Sequence, residues 1–350
     1  MTSEGNLPAL VPGLTVIVPI FNVEAYVEKS IKSILLSNVD NLHIIAVDDC
    51  GDDGSMDIVR RLAATDSRIE IISNNRNQGL AFSRNQGINH VSTSHLAFLD
   101  SDDWVAPDFY SRLMSVAIQE DSDIVAGNVI YVWPENQTQK RGWVSEWTFC
   151  EVTNDKPVLS TPKEKIGIIC ACACWNKVYS TEFIRKNSLY FPLNIYIEDV
   201  PFTFLSTALA NHISLVKDTN LFYRQRTASI MNDLKSSKRI FDIFKVMDLC
   251  AASLESIYEN ERDIFRQILD VFIVINLTSW TSAVCANDYD RFVTEVRRRF
   301  RLVDAEQNPF LPSKYRCLWR RMLDIHVRWR MELFGCIPLG IITEPSWLTN

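Results

Sequence analysis

The chain has 350 residues, of which 47% are hydrophobic and 23% charged, and its formal net charge at pH 7 is -7. This composition excludes a disordered chain, and the length suits one large domain or one domain with a smaller appendage. The sequence holds 11 glycines and neither a G-x-G-x-x-G nor a G-x-x-x-x-G-K-[ST] motif, so phosphate binding through a glycine-rich loop is not expected.

Residues 1–13 form a predicted N-terminal tail that lacks the basic and apolar regions of a secretion signal. Nine cysteines without such a signal favour reduced thiols and a cytoplasmic protein. The most apolar stretch, residues 268–286, contains Asp270 and Asn276, which is more typical of a buried helix than of a membrane span. We therefore predict a cytoplasmic protein without a transmembrane segment.

The first part of the chain alternates short β-branched runs with longer amphipathic segments. This alternation predicts an α/β fold with a mostly parallel sheet and crossover helices. The predicted strands are residues 14–20, 41–48, 69–73, 94–100 and 122–130. A helix is expected over residues 24–37, with Asn22 as its N-cap.

The alternation stops after the fifth predicted strand, in a tryptophan-rich segment at residues 131–160. An apolar helix is predicted within residues 195–210 and a pair of strands within residues 214–226. From residue 236 onward the pattern is helical, which predicts an α-helical C-terminal region over residues 236–350.

Acidic residues follow two of the predicted strands directly. Asp48 and Asp49 follow the second strand, and Asp100, Asp102 and Asp103 follow the fourth. In open α/β sheets the ligand lies beyond the carboxyl ends of the strands, so these carboxylates should converge on a cation or polar ligand. The alternative is that the last two acids only cap a helix that opens near residue 107.

Five segments in this order resemble glycosyltransferase family 2, whose members are inverting, nucleotide-sugar-dependent enzymes with a GT-A fold. The segments are TVIVPIFN, AVDDCGDDGSMDI, NQGLAFSRNQGI, FLDSDDWV and YIEDVPFTF. The resemblance covers residues 14–232 and implies a GT-A catalytic domain over residues 14–235. Its nucleotide-sugar half would span about residues 14–130 and its acceptor half about residues 131–235.

The resemblance implies residues for nucleotide binding. Pro19 and Phe21 would border the nucleotide pocket, and Asp49 would accept a hydrogen bond from the uracil imide, because an ionised carboxylate only accepts. Arg84 and Asn85 match the A-R-N-x-G motif on the helix that faces the nucleotide. A structural ion pair between Arg84 and one of the acidic-edge aspartates is an equal alternative.

The D-x-D motif of the family matches Asp100 and Asp102, with Asp102 in direct contact with the metal ion. The implied cofactor is Mn²⁺ or Mg²⁺, which prefer oxygen ligands and would bridge the two donor phosphates. Arg224 matches a loop arginine that contacts the diphosphate, since a guanidinium suits phosphate oxygens.

The catalytic base implied by the resemblance is Asp199, in the sequence E-D-V-P-F. A sugar hydroxyl needs a base near neutral pH, and one displacement inverts the anomeric configuration. The alternative is that Glu198 and Asp199 only occupy a helix N-terminus, where the dipole favours acids. Glu198, Trp175 and Lys177 are candidates near the acceptor, and a buried tryptophan with a snorkelling lysine is the alternative for the last two.

The expected partners are a UDP-sugar and a glycan or lipid-linked glycan acceptor used in cell-surface or extracellular polysaccharide synthesis. Basic residues dominate residues 291–330, which indicates either a solvated face or contact with the inner face of an anionic membrane. Nucleic acid is not expected, because the rest of the chain is acidic. A homo-oligomer formed by the C-terminal helices is left open.

Two other functions are compatible with parts of the sequence. A nucleotidyltransferase also uses metal-binding carboxylates, but it would need a triphosphate-binding loop near the first strand, and none is present there. A glycan-binding relative without catalysis is disfavoured, because the three acids of the implied mechanism, Asp100, Asp102 and Asp199, are all present. The donor sugar, the acceptor, the linkage and processivity do not follow from the sequence.

Overall fold

The computed structural model describes two compact units of the chain. One unit comprises Met1–Asn194 and Glu198–Gln225, and the other comprises Ile195–Ile197 and Arg226–Asn350. The described residues are 9–133, 138–141, 144, 148–149, 158–226, 238–281, 284, 286–300 and 308–309. Each unit is treated by itself below.

Within the described residues, the first unit is built on one ten-stranded sheet. The strands are β1 Val11–Ile20, β2 Leu42–Asp48, β3 Ile69–Ser73, β4 Thr93–Phe98, β5 Trp104–Val105, β6 Ile124–Trp133, β7 Thr138–Arg141, β8 Val158–Leu159, β9 Lys177–Ser180 and β10 Ile213–Arg224. Their order is β3-β2-β1-β4-β9-β6-β10-β5, with β7 paired to β6 and β8 paired to β10.

The sheet is mostly parallel. Strand β1 lies parallel to β2 and β4, β2 to β3, and β6 to β10. Strand β9 is antiparallel to both of its neighbours, β4 and β6. The predicted α/β fold with a mostly parallel sheet is confirmed, because β-branched runs buried on both faces alternate with helices that cover them.

Helices flank the sheet where amphipathic segments were predicted. In the first unit they are α1 Val27–Leu35, α2 Ser55–Ala63, α3 Leu80–His90, α4 Phe109–Gln119, α5 Ile166–Ala171, α6 Thr181–Lys186 and α7 Asp199–Leu209. The expectation that Asn22 caps the first helix is wrong, since that helix begins at Val27. Asn22 instead adopts a left-handed conformation and exchanges two hydrogen bonds with Asp52, which joins the loops after β1 and β2.

Two other local predictions are corrected. Asp102 and Asp103 do not cap a helix, because they precede the short strand β5 and α4 begins only at Phe109. Residues 214–226 do not form a pair of strands. They lie mostly in the single strand β10, whose pairing with β6 shifts register between Val216 and Asn220.

Helix α3 packs very closely on the sheet at Gly87. A side chain at this position would overlap the buried Ile17 of β1. We expect Gly87→Ala to lower the free energy of unfolding by about 1–3 kcal/mol, because the overlap outweighs the better helix propensity of alanine. Urea unfolding measures the change. Asn89→Ala, on the exposed side of the same helix, should stay within about 0.5 kcal/mol of the parent, and a stable Gly87→Ala variant would contradict this packing.

The described part of the second unit is helical, with α8 Asp242–Ser253, α9 Glu259–Thr281 and α10 Ala286–Phe300. No helix among the described residues is long and apolar enough to cross a membrane. The start of the basic segment lies in α10, where Glu295 pairs with Arg298 and Arg299 and partly offsets their charge. Most of residues 301–350 lie outside the described residues, so contact of this segment with a membrane stays a prediction.

Candidate active site

The acidic turn after β4 combines a partly exposed and a buried carboxylate. Asp103 donates its backbone N–H to the carbonyl of Asp100 over 3.0 Å, which closes the turn. The side chain of Asp100 is 24% exposed, whereas Asp103 is 1% exposed. The turn follows the buried strand directly, so it lies at the carboxyl edge of the sheet, where α/β proteins place their ligands.

A buried arginine ties this turn to the acids at the start of α7. Arg84 is 1% exposed, and its Nη2 donates to Oδ1 of Asp100 over 2.7 Å. Its Nη1 donates to Oε1 of Glu198 over 2.6 Å, across 114 residues of sequence. Of the two sequence alternatives for Arg84, the structure therefore shows the ion pair. The D-x-D and E-D motifs belong to one cluster of charges.

Asp199 opens α7 next to Glu198 and has an altered acidity. Burial first, and then the neighbouring charge of Glu198, raise the pKa of Asp199 to about 7, while Arg84 opposes the shift. The charge of Asp100 raises this pKa further. Asp199 is thus a carboxyl group that exchanges its proton near neutral pH, which suits a general base.

An aromatic cluster lies beneath these charges. The rings of Phe191 and Phe202 stack with centroids 4.1 Å apart, and Phe98 meets both of them edge to face. The guanidinium carbon of Arg84 lies 5.1 Å from the Phe191 ring centroid. The cluster excludes water from one side of the site, which strengthens the electrostatic interactions above it.

Arg224, at the end of β10, is fixed beside the acidic turn. Its backbone N–H donates to Oδ1 of Asp103 over 2.7 Å, and its Nε donates to the carbonyl of Asp102 over 2.8 Å. Its guanidinium carbon lies 4.7 Å from the ring centroids of both Tyr26 and Trp104. This side chain is held in place by contacts that leave its terminal nitrogens without a hydrogen-bond partner among the described residues.

Asp103 has a different chemical character from its neighbours in the turn. Burial, followed by the charges of Asp102 and Asp100, raises the pKa of Asp103 well above its ordinary value. Its Oδ2 has no hydrogen-bond partner among the described residues. Burial and the neighbouring charges therefore favour the protonated form of Asp103, whose Oδ1 supports the backbone of Arg224, a role that its sequence position did not indicate.

The nucleotide-side candidates lie at the ends of β1 and β2. Pro19 is a buried residue of β1, and Phe21, just after that strand, is 44% exposed. The carboxylate of Asp49 accepts from the backbone N–H groups of Gln78 and Gly79 over 2.8 and 2.9 Å. Asp49 thus orders the loop before α3, and Phe21 is the more accessible of these candidates.

The weak acceptor candidates Trp175 and Lys177 lie inside the protein. Lys177 is fully buried, and its ammonium donates to the carbonyl of Ala173 and to Oδ1 of Asn176. Burial lowers the pKa of Lys177 to about 8. Trp175 is 7% exposed and stacks on Tyr223 with centroids 5.0 Å apart. Both residues support the site from beneath, and Lys177 does not snorkel to solvent.

The acidic turn fits a divalent cation by the chemistry of its donors. Carboxylate oxygens are ligands that Mg²⁺ and Mn²⁺ prefer. Among the residues that the structure describes, no group of three or more His, Cys, Asp or Glu side chains is placed to hold a metal ion. Asp100 and Asp102 supply carboxylate oxygens in the turn.

Sequence reasoning missed the contacts that connect these motifs. Asn85 matched a motif, but its hydrogen bonds to the backbone of Phe191 had no local signal, because the two residues are 106 positions apart. The raised pKa of Asp103 had no local signal either, because it depends on burial by the surrounding fold.

Comparisons with known proteins identify the family and the fold that the chain resembles. Residues 15–184 match the model of the family described as glycosyl transferase family 2. EpsH of Bacillus subtilis, assigned as a glycosyltransferase, is 29% identical over 278 residues, which cover 78% of this chain and 76% of that protein. Staphylococcus aureus TarS 1–349 in complex with UDP-GlcNAc has a TM-score of 0.70 at 21% identity, covering 89% of this chain and 88% of that chain. Mannosyltransferase PcManGT from Pyrobaculum calidifontis, in complex with GDP-Man and Mn²⁺, has a TM-score of 0.54 at 13% identity, covering 90% and 86%.

Proposed function

The chain belongs to glycosyltransferase family 2 and has its GT-A fold, and from this membership we propose that it moves a sugar from a UDP-sugar to a hydroxyl of a glycan acceptor. The acceptor would be a cell-surface or extracellular polysaccharide or its lipid-linked precursor, and residues 14–235 would form the catalytic domain. The observation that carries the proposal is the bridge made by Arg84. It brings Asp100 and the acids at the start of α7 into one site.

In the proposed reaction, Asp199 is the general base. An acceptor O–H loses its proton to the Asp199 carboxylate as its oxygen forms a bond to the anomeric carbon of the donor. The bond from that carbon to the phosphate oxygen breaks, and the electron pair leaves with the nucleoside diphosphate. Because this is a single displacement, an α-linked donor gives a β-linked product.

The leaving diphosphate would be held by residues on the side of the site opposite Asp199. Arg224 offers a fixed guanidinium next to the acidic turn, which suits phosphate oxygens. A Mn²⁺ or Mg²⁺ ion held by Asp100 and Asp102 would supply Lewis-acid stabilisation of the charge on the leaving group. Phe21 and Pro19 would line the base pocket of the nucleotide, with Asp49 as the acceptor for the uracil imide.

The acidity of Asp199 predicts the pH dependence of the transfer. The base must be deprotonated, and its pKa in the folded protein is raised to about 7. We therefore expect kcat/KM to be constant above this pKa and to fall about tenfold per pH unit below it. Measurement of kcat/KM from pH 5 to pH 9 at saturating metal tests this expectation. A kcat/KM that stays constant down to pH 5 would contradict the assignment of Asp199 as the base.

A donor screen tests the function itself. The full chain is incubated with a panel of UDP-, GDP- and dTDP-sugars, with and without Mn²⁺ or Mg²⁺, and release of the nucleoside diphosphate is measured. The proposal expects metal-dependent release from at least one UDP-sugar, and release that is slower by about 100-fold or more from the Asp199→Asn variant. Binding of UDP-sugars without any release would support the non-catalytic glycan-binding alternative. Release of pyrophosphate from nucleoside triphosphates would support a nucleotidyltransferase.

A further inference from the structure

Two consecutive residues of α3 contact the chain segment that precedes and includes the acids of α7. The Asn85 side chain donates to the carbonyl of Phe191 and accepts from its N–H, both over 2.8 Å. Arg84 bonds to Glu198 seven residues further along the chain. The segment is thus fixed near both ends by neighbouring side chains of one helix.

Helix α3 is a rigid support for these contacts. Gly87 lets the helix approach β1 so closely that no side chain would fit between them. The segment is also fixed from below, because the ring of Phe191 stacks on Phe202 of α7 at 4.1 Å. Among the described residues, the Asn85 and Arg84 contacts and this stack therefore link α3 to the start of α7, which is also held by ring contacts of Phe202 with Phe98 and Tyr179.

Arg84 distinguishes the adjacent acids Glu198 and Asp199, because it forms an ion pair with Glu198. Its two terminal nitrogens bond to Asp100 and Glu198, and no ion pair of Asp199 is present among the described residues. A carboxylate bonded to a guanidinium is held in one orientation. The pairing thus fixes Glu198 and leaves Asp199 available.

We propose that Arg84 and Asn85 are positioning residues, which hold the segment 191–199 against the acidic turn and leave Asp199 rather than Glu198 to face the acceptor. This inference rests on the proposed function and gives the R-N pair a role through protein contacts instead of through contact with the nucleotide. A base that is misplaced by about 1 Å can cost about 100-fold in rate. Binding of the nucleotide does not depend on the position of the base.

The test compares three single variants of the full chain. Asn85→Ala removes both bonds to the Phe191 backbone, and Arg84→Lys keeps the charge but loses the planar fork that reaches two carboxylates. Asn89→Ala is the matched control, because it removes another α3 asparagine that bonds to the same segment, through the exposed hydroxyl of Tyr190. For each variant, kcat is measured with the best donor of the screen, UDP affinity by calorimetry, and folding by thermal unfolding.

We expect Asn85→Ala and Arg84→Lys to lower kcat by about 10- to 100-fold. UDP affinity should stay within about threefold of the parent for Asn85→Ala, because Asn85 bonds to the Phe191 backbone, whereas Arg84→Lys also disturbs the bond to Asp100. Asn89→Ala should keep kcat within about twofold. A loss of UDP affinity above about tenfold with unchanged kcat would overturn the proposal, since these residues would then contact the nucleotide. Equal kcat values for Asn85→Ala and Asn89→Ala would overturn it too. Absence of turnover in the parent would instead refute the proposed function, so the two failures are distinguishable.

Discussion

Asp199→Asn is expected to lower kcat by about 10²- to 10⁴-fold, the range that a positioned general base contributes. Asparagine has nearly the same shape as aspartate, but its amide cannot take the proton of the attacking hydroxyl. UDP affinity should stay within about threefold, because the base lies on the acceptor side of the proposed reaction. Steady-state kinetics and calorimetry on the same preparation measure both quantities.

Glu198→Gln is the matched control for this variant. The two acids are adjacent in sequence, but Glu198 is 8% exposed and bonded to Arg84, so the structure gives it a supporting role. Glutamine can still accept the hydrogen bond of the guanidinium. We expect the loss of kcat to be at most about tenfold, and a loss as large as that of Asp199→Asn would show that the two acids are wrongly assigned.

Asp102→Asn is expected to lower kcat/KM by about 10²- to 10³-fold at a fixed concentration of Mn²⁺, because an ion that stabilises the leaving group supplies several kcal/mol. An amide oxygen is a weaker ligand for a hard cation than a carboxylate. Part of the activity should return as the Mn²⁺ concentration is raised. A titration of rate against Mn²⁺ for parent and variant measures this shift.

Asp103→Asn should affect activity much less than Asp102→Asn. Because burial and the charges of Asp102 and Asp100 raise the pKa of Asp103 well above its ordinary value, its neutral form is favoured, and asparagine is a neutral side chain of similar shape. The new amide can still accept the N–H of Arg224. We expect kcat/KM to change by less than about fivefold. If Asp103→Asn lost as much activity as Asp102→Asn, the distinction between the two acids would be wrong.

Much of the fold followed from the sequence, for a physical reason. The strands β1, β2, β4 and β6 are largely buried apolar runs, and the edge strand β3 is a partly buried one, so local pattern determines their type. The rule that ligands lie at the carboxyl ends of parallel strands then predicts that Asp49 and Asp100 lie at one edge.

The contacts between motifs did not follow from the sequence in the same way. From the sequence, Arg84 faces the nucleotide or pairs with an acidic-edge aspartate, and the two interpretations have equal weight. Only the folded chain shows that Arg84 bonds to Asp100 and Glu198. Lys177 matched a motif but is fully buried, because the loop before β9 supplies its hydrogen-bond acceptors. The bond from Arg84 to Glu198 joins residues 114 positions apart, and the burial of Lys177 depends on the whole fold, so a local pattern encodes neither outcome.

The most direct test of the central claim is the stereochemistry of the sugar released from the donor. Water replaces the acceptor in slow donor hydrolysis, so the experiment needs no knowledge of the natural acceptor. The released sugar is followed by ¹H NMR immediately after the enzyme is added to the α-linked donor found in the screen. Single displacement with Asp199 as base predicts that the β anomer accumulates first and then mutarotates, whereas first appearance of the α anomer would contradict the account.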